Sequence, residues 1–187
     1  MTSSIKVGAV SLTVLLLMAS PSSGQEVGLT EALANPAVSA GIRHIDANRQ
    51  RTAEFLRTIG GIISPSGQEH ERAAAVAERM QEIGLSEVRV TSSPNAIGII
   101  PGGSDRVLVF VSTLDDLATV AENQRAAGTQ PRIEGDRVVG PGTNTSLTSA
   151  ALLAAAEAYL ESGLTPQLTL VFAAVAQEET GLVGMGD

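Results

Sequence analysis

Two adjacent carboxylates, Glu178 and Glu179, stand two residues after a largely apolar run, 168–175. The run has the composition of a buried strand, so the pair lies at the point where that strand ends. Like charges repel, and an isolated pair at such a point is commonly a solvated strand end. The alternative is that the pair lies beside a cation, which would indicate a metal site.

Two further polar segments stand at comparable places along the chain. Residues 112–116 follow a second apolar run, and residues 140–149 lead into an alanine-rich helix. In α/β sheets, ligands bind outside the carboxyl ends of the strands. The sequence therefore predicts that any site is built from these two segments together with residues 177–180.

The elements that would position these segments follow a strand, helix, strand order. Apolar residues at helical spacing predict helices, and short alternating or continuous apolar runs predict strands. The predicted elements are helices at 36–60, 73–83 and 146–162, strands at 87–91, 96–100, 106–112 and from Leu168, and a small hairpin at 131–139. Residues 116–130 are predicted to be a surface excursion that includes at most one helical turn, and run 106–112 is typical of a strand covered on both faces. The pattern indicates an α/β fold with a mixed, largely parallel sheet flanked by helices.

The composition excludes several classes of function. A formal net charge of −8 argues against nucleic acid and anionic membrane surfaces as partners, because both require a basic patch. The sequence contains no cysteine, which excludes disulfides, thiolate nucleophiles and thiolate metal sites. Any metal would have to be held by His, Asp and Glu.

Residues 1–24 are predicted to be a secretory signal peptide, with residues 25–187 as the mature chain. Lys6 precedes an apolar run, 7–19, that is shorter than the roughly 20 residues a membrane-spanning helix needs. Small residues then stand at the positions that a signal peptidase accepts. The prediction is a secreted or periplasmic protein, and an uncleaved membrane anchor is the alternative.

Several segments, in this order, resemble those of the zinc-dependent exopeptidase and deacylase family, which includes peptidase T, acetylornithine deacetylase, aminoacylase and the bacterial glutamate carboxypeptidases. The segment RVLVFVSTLDDL, residues 106–117, is similar to the strand that carries the family's His-x-Asp motif. Residues 133–142, with the helix after them, are similar to the segment that presents its bridging aspartate, and VAQEE, residues 175–179, is similar to its Glu-Glu motif. The resemblance extends over residues 36–187.

The resemblance implies a hydrolase that acts on peptides or N-acyl amino acids. Two zinc ions, about 3.5 to 4 Å apart in sites of this kind, would share a hydroxide that attacks an amide carbonyl. Glu178 would be the general base, Glu179 a zinc ligand, and Asp115 the residue that orients a metal-binding histidine. A dication would neutralise one carboxylate of the pair and leave the other able to hold a proton.

The sequence departs from the family at two ligand positions. Thr113 stands where the family has its metal-binding histidine, and Thr145 stands where it has the aspartate that bridges both zincs. Neutral hydroxyls are poor substitutes for imidazole and carboxylate on zinc. The two histidines, His44 and His70, fall in the helical N-terminal region. Asp116 could approach the vacant position, but its side chain should point away from that of Asp115.

Two hypotheses remain open. The first is a secreted, peptidase-like catalytic domain that is incomplete at its C-terminus, since the family's further acidic ligand and final histidine would follow Asp187. Such a chain would be catalytically impaired, with too few ligands for zinc. The second is a non-enzymatic module that keeps the cleft to hold peptides, or offers an uncovered edge to a protein partner.

Overall fold

The computed structural model describes residues 23–186. The predicted signal segment therefore lies outside the described residues, except for its last two positions, and it stays a prediction. Within residues 23–186, no helix combines the length and the apolar character needed to cross a membrane.

Helices and strands alternate along the described chain. The helices are α1 (Ser23–Ala34), α2 (Pro36–Ala47), α3 (Arg49–Gly61), α4 (His70–Glu82), α5 (Ala118–Ala127) and α6 (Thr143–Glu161). The strands are β1 (Ser86–Val90), β2 (Ala96–Ile100), β3 (Val107–Thr113), β4 (Arg132–Glu134), β5 (Arg137–Val139) and β6 (Thr169–Val175). A short 3₁₀ helix, Val183–Gly186, follows β6.

The main sheet has the strand order β1-β2-β6-β3, and β4 and β5 form a separate hairpin. The predicted α/β fold with a mixed sheet and packed helices is confirmed. Its parallel part is smaller than predicted, since only β3 and β6 run parallel. The other two pairings are antiparallel, because the β1–β2 hairpin lies against β6.

The core lies between one face of this sheet and the helices α4 and α6. It is built from aliphatic side chains and alanines, with members such as Ile59, Val76, Met80, Leu153, Ala156 and Phe172. Gly98 on β2 makes room for Leu85, which follows α4, because a Cβ at position 98 would lie 2.9 Å from Leu85 Cδ1. Small residues thus replace the aromatic anchors that this composition lacks.

The N-terminus of α6 is fixed by a close approach to the end of α3. Gly142 has a φ of +76°, and a side chain there would collide with the carbonyl oxygen of Gly60. That carbonyl also accepts a hydrogen bond of 2.9 Å from Gln124 Nε2 on α5. The Gly-Pro-Gly segment before α6 is therefore a requirement of packing as well as of the turn.

Two predicted helical segments differ from the structure. Residues 36–60 form two helices, α2 and α3, because the chain turns at Asn48, whose side chain donates a 2.8 Å hydrogen bond to the His44 carbonyl. Residues 118–127 form the helix α5, where a surface excursion was predicted. Its buried residues, Ala121 and Gln124, are a small residue and a polar one, so the segment carries little apolar periodicity.

The prediction that run 106–112 is covered on both faces is wrong. β3 is an edge strand of the sheet that the structure describes, and it pairs only with β6. Five consecutive apolar residues, 107–111, are exposed, with Val107 at 55% and Phe110 at 40%. A continuous apolar run reveals hydrophobicity but not whether neighbouring elements cover it.

Candidate functional site

The carboxyl ends of β3 and β6 lie side by side. Thr113 is the register partner of Val175, and the Leu114 N–H donates a 2.8 Å hydrogen bond to the Val175 carbonyl. The next residues of each strand therefore emerge at one edge of the sheet. This brings segment 112–116 next to residues 177–179, as predicted.

Asp115 is fully buried at this edge and accepts four hydrogen bonds. The hydroxyls of Ser66 and Thr113 donate at 2.6 and 2.8 Å, and the backbone N–H groups of Glu178 and Glu179 donate at 2.9 and 3.1 Å. Burial raises the pKa of Asp115, but these hydrogen bonds outweigh it and hold the pKa below its usual range. Both carboxylate oxygens are thus occupied by protein donors.

A second buried carboxylate, Glu69, binds the same loop. Its Oε1 accepts hydrogen bonds from the backbone N–H of Gly67 at 2.8 Å and of Gln177 at 3.0 Å. Gln177 adopts the left-handed region, with a φ of 55°. The backbone N–H groups of residues 177–179 therefore all donate to the carboxylates of Glu69 and Asp115. We call these two carboxylates, with the three N–H groups that they bind, the carboxylate clasp. Glu69 was not predicted as a site residue, and its one signal in the sequence is its place between a Pro-Ser-Gly turn and a helix.

Asp116 is committed to a different partner. Its carboxylate forms a fully buried ion pair with Arg72 of α4, with 2.7 Å between Oδ2 and the guanidinium. Arg72 also donates to the Leu114 carbonyl at 2.8 Å and to the carbonyl of Ile62. The side chain of Asp116 thus binds Arg72 and shares no partner with the side chain of Asp115. Arg72 neutralises the charge of Asp116. The sequence did not predict this role for Arg72.

The side chains of Glu178 and Glu179 differ in environment. Glu178 is half-buried and Glu179 is exposed. Glu178 lines a cavity of about 320 Å³, whose described lining is Val111, Ser112, Thr113, Thr148, Val175, Glu178, Leu182 and Met185. The predicted general base therefore faces a cleft that also contains Thr113.

The replaced ligand position Thr145 and the two histidines, which the sequence does not predict to be ligands, do not complete a metal centre. Thr145 lies in the first turn of α6, outside the described lining of this cavity, and its carbonyl accepts the Thr148 hydroxyl at 2.9 Å. His44 lies on α2, 3.6 Å from Glu157, and His70 is exposed at the start of α4. Within residues 23–186, no group of three His, Asp or Glu side chains could hold a metal ion. The donors present do not fit a zinc pair.

Comparison with solved structures identifies the fold. The dipeptidase Dug1p of Saccharomyces cerevisiae superposes with a TM-score of 0.62 and 15% identity over 79% of this chain. The aminopeptidase PepT of Bacillus cereus gives a TM-score of 0.59 and 21% identity over 74%. The YXEP protein of Bacillus subtilis, a dinuclear metal-binding peptidase of the M20 family, gives 0.51 and 18% over 72%. No protein-family model and no curated protein sequence matches this chain.

The described chain therefore has the fold of these peptidases over part of their length. It spans 36% of the dipeptidase, 39% of the aminopeptidase and 36% of the M20 peptidase. Identities of this size establish the fold alone.

Proposed function

We propose that this chain is a peptidase-like module that binds peptides at the carboxyl ends of β3 and β6 without hydrolysing them through zinc-activated water. One observation carries the proposal. Asp115, which the family resemblance implies should orient a metal-bound histidine, instead accepts the hydroxyl of Thr113 and three further donors. Where the family has its metal-binding histidine, this chain therefore has Thr113, whose neutral hydroxyl donates its proton to Asp115 and is a poor zinc ligand.

Peptides are the ligand class that the fold supports, since the superposed structures are peptidases. The cavity beside Glu178, of about 320 Å³, lies at the small end of the usual range for ligand sites. A space of this size suits one end of a peptide and one side chain. We therefore propose that the ligand is held by a terminus.

Hydrolysis assays test the proposal. Dipeptides and tripeptides incubated with the purified chain and added zinc should be cleaved no faster than in buffer, because the ligand positions carry Thr113 and Thr145. Each assay needs a parallel sample with a chelator. Cleavage that depends on protein concentration and stops with the chelator would refute the proposal.

A second candidate function is association with another chain through β3. This strand exposes the apolar residues 107–111 and has pairing partners on one side only within the described sheet. An apolar groove of about 460 Å³ lies beside it, lined by residues that include Phe110, Tyr159 and Phe172. An added strand would satisfy the free backbone groups and cover this surface.

A further inference from the structure

We infer that the cavity beside Glu178 selects a ligand that carries a free ammonium group on an aliphatic body, such as the amino terminus of a peptide that begins with leucine. The inference rests on the proposed function and adds which end of a peptide enters the cavity. It follows from where the hydroxyl protons of the lining residues point.

Two of the three hydroxyls in the lining have already donated their protons. The Thr113 hydroxyl donates to Asp115 Oδ1 at 2.8 Å, and the Thr148 hydroxyl donates to the Thr145 carbonyl at 2.9 Å. A hydroxyl has one proton and two lone pairs. Neither hydroxyl therefore has a proton left to donate to a ligand, and Thr113 Oγ1 also accepts the backbone N–H of Asp115 at 3.4 Å.

The third hydroxyl, that of Ser112, is in the same state. Ser149 Oγ donates its proton to the Thr113 carbonyl at 2.9 Å. Ser112 Oγ lies 2.9 Å from Ser149 Oγ, so Ser112 has to be the donor in that contact. All three hydroxyls of the lining residues thus spend their protons inside the protein, and none is left to donate to a ligand.

Glu178 adds a charged acceptor to this set. Its backbone N–H is held by Asp115, whereas its carboxylate has no hydrogen-bond or ion-pair partner within residues 23–186. The carboxylate clasp thus fixes the backbone of Glu178 and leaves its side chain free for a ligand. An ionised carboxylate accepts only.

The remaining lining is aliphatic and comprises Val111, Val175, Leu182 and Met185. A matching ligand must supply several donors and a positive charge, and must bury an apolar group. A primary ammonium offers three donors, and a leucine side chain supplies the apolar group. A carboxylate end would find no free hydroxyl proton and would lie near the carboxylate of Glu178, so the cavity should exclude it.

Titration calorimetry with leucinamide and N-acetyl-leucinamide tests the inference, because the two differ at the amine while sharing the side chain. Leucinamide should bind at least tenfold more tightly. Glu178→Gln should lower leucinamide affinity at least tenfold, whereas Glu122→Gln, which removes an exposed carboxylate on α5, should leave it unchanged. The thermal unfolding of Glu178→Gln should match that of the unaltered chain, because the side chain has no partner to lose.

Three outcomes would overturn the inference. Equal binding of the two amides would show that the ammonium is not recognised, and unaltered binding by Glu178→Gln would remove its carboxylate from the site. Displacement of leucinamide by sodium or zinc chloride at equal concentration would make the cavity a metal-cation site. These results are separable from the hydrolysis assay, since zinc-dependent cleavage refutes the proposed function whichever amide binds.

Discussion

At the residue scale, Asp115 connects two parts of the chain that are distant in sequence. It links the turn at Ser66 and the end of β3 to the backbone of Glu178 and Glu179. A hydrogen bond to an ionised carboxylate contributes more to the free energy of unfolding than a hydrogen bond between neutral groups. A buried acceptor that loses its donors also lowers the stability, because water cannot replace them. The residue that the family resemblance implies as an aid to a metal ligand therefore has a structural role here.

Asp115→Asn should lower the free energy of unfolding by about 2–4 kcal/mol at pH 7, because an amide cannot accept all four hydrogen bonds and adds donors where donors already point. The measurement is urea unfolding. Glu122→Gln, an exposed change on α5, is the control. A loss below about 0.5 kcal/mol would show that the four hydrogen bonds contribute little.

This loss should depend on pH with a definite sign. The folded pKa of Asp115 lies below the unfolded value, so its stabilising contribution is present above about pH 4 and disappears as pH falls through the folded pKa. The difference in free energy of unfolding between the unaltered chain and Asp115→Asn should therefore shrink as the pH falls below about 4. A difference that grows on acidification would contradict the lowered pKa.

The sequence predicted some residues of the site and missed others. The order of motifs predicted that Asp115, Glu178 and Glu179 lie at neighbouring strand ends. Glu69 escaped because its hydrogen-bond partner, Gln177, lies 108 positions further along the chain. In the local sequence, Glu69 looks like an ordinary residue before a helix. A local pattern cannot predict a contact between residues that are so far apart in sequence.

At the element scale, Arg72 connects α4 to the end of β3. Its guanidinium binds Asp116 and two backbone carbonyls, all in a buried setting. Removing one partner of a buried ion pair leaves an uncompensated charge, which costs more than the pair contributes. The position of α4, and with it Glu69 of the carboxylate clasp, depends on this pair.

Arg72→Met should therefore lower the free energy of unfolding by about 3–5 kcal/mol, measured by urea unfolding. Arg57→Met is the matched control, because the Arg57–Glu54 pair is exposed and its loss should cost less than about 1 kcal/mol. Adding Asp116→Asn to Arg72→Met should recover part of the loss. Equal losses in free energy of unfolding for Arg72→Met and Arg57→Met would show that the buried ion pair stabilises the fold no more than the exposed one.

The sequence predicted elements well where local signals are strong. Strand β2 and the β4–β5 hairpin agree with prediction because apolar runs and a Gly-Asp turn mark them. Helix α5 was missed since its buried residues are few. The exposure of β3 was missed because coverage depends on the arrangement of distant elements, which a run of valines cannot encode.

At the scale of the whole molecule, the two edges of the sheet differ. β1 carries Glu87 and Arg89 and has an irregularity in its pairing with β2, features that discourage further pairing. β3 has seven residues without a charge or a proline. Open pairing positions thus coincide with a continuous exposed apolar run on β3, whereas β1 exposes one large apolar side chain, Val90.

The purified chain should therefore self-associate, with a weight-average mass in sedimentation velocity that rises with concentration. Val109→Lys should shift it to monomer, because a lysine on an exposed edge opposes strand pairing. Val90→Lys makes the same change on β1 and should leave the association intact. A monomer at all concentrations before substitution would count against β3 as an interface.

Zinc content is the measurement that tests the central claim most directly. The chain is purified with zinc present, freed of loosely held metal by gel filtration, and analysed by inductively coupled plasma mass spectrometry. A variant with Thr113→His and Thr145→Asp serves as the comparison, because it restores the ligand types that the family resemblance implies. We predict far less than one zinc per unaltered chain and a clear gain in the variant. Stoichiometric zinc in the unaltered chain would contradict the account.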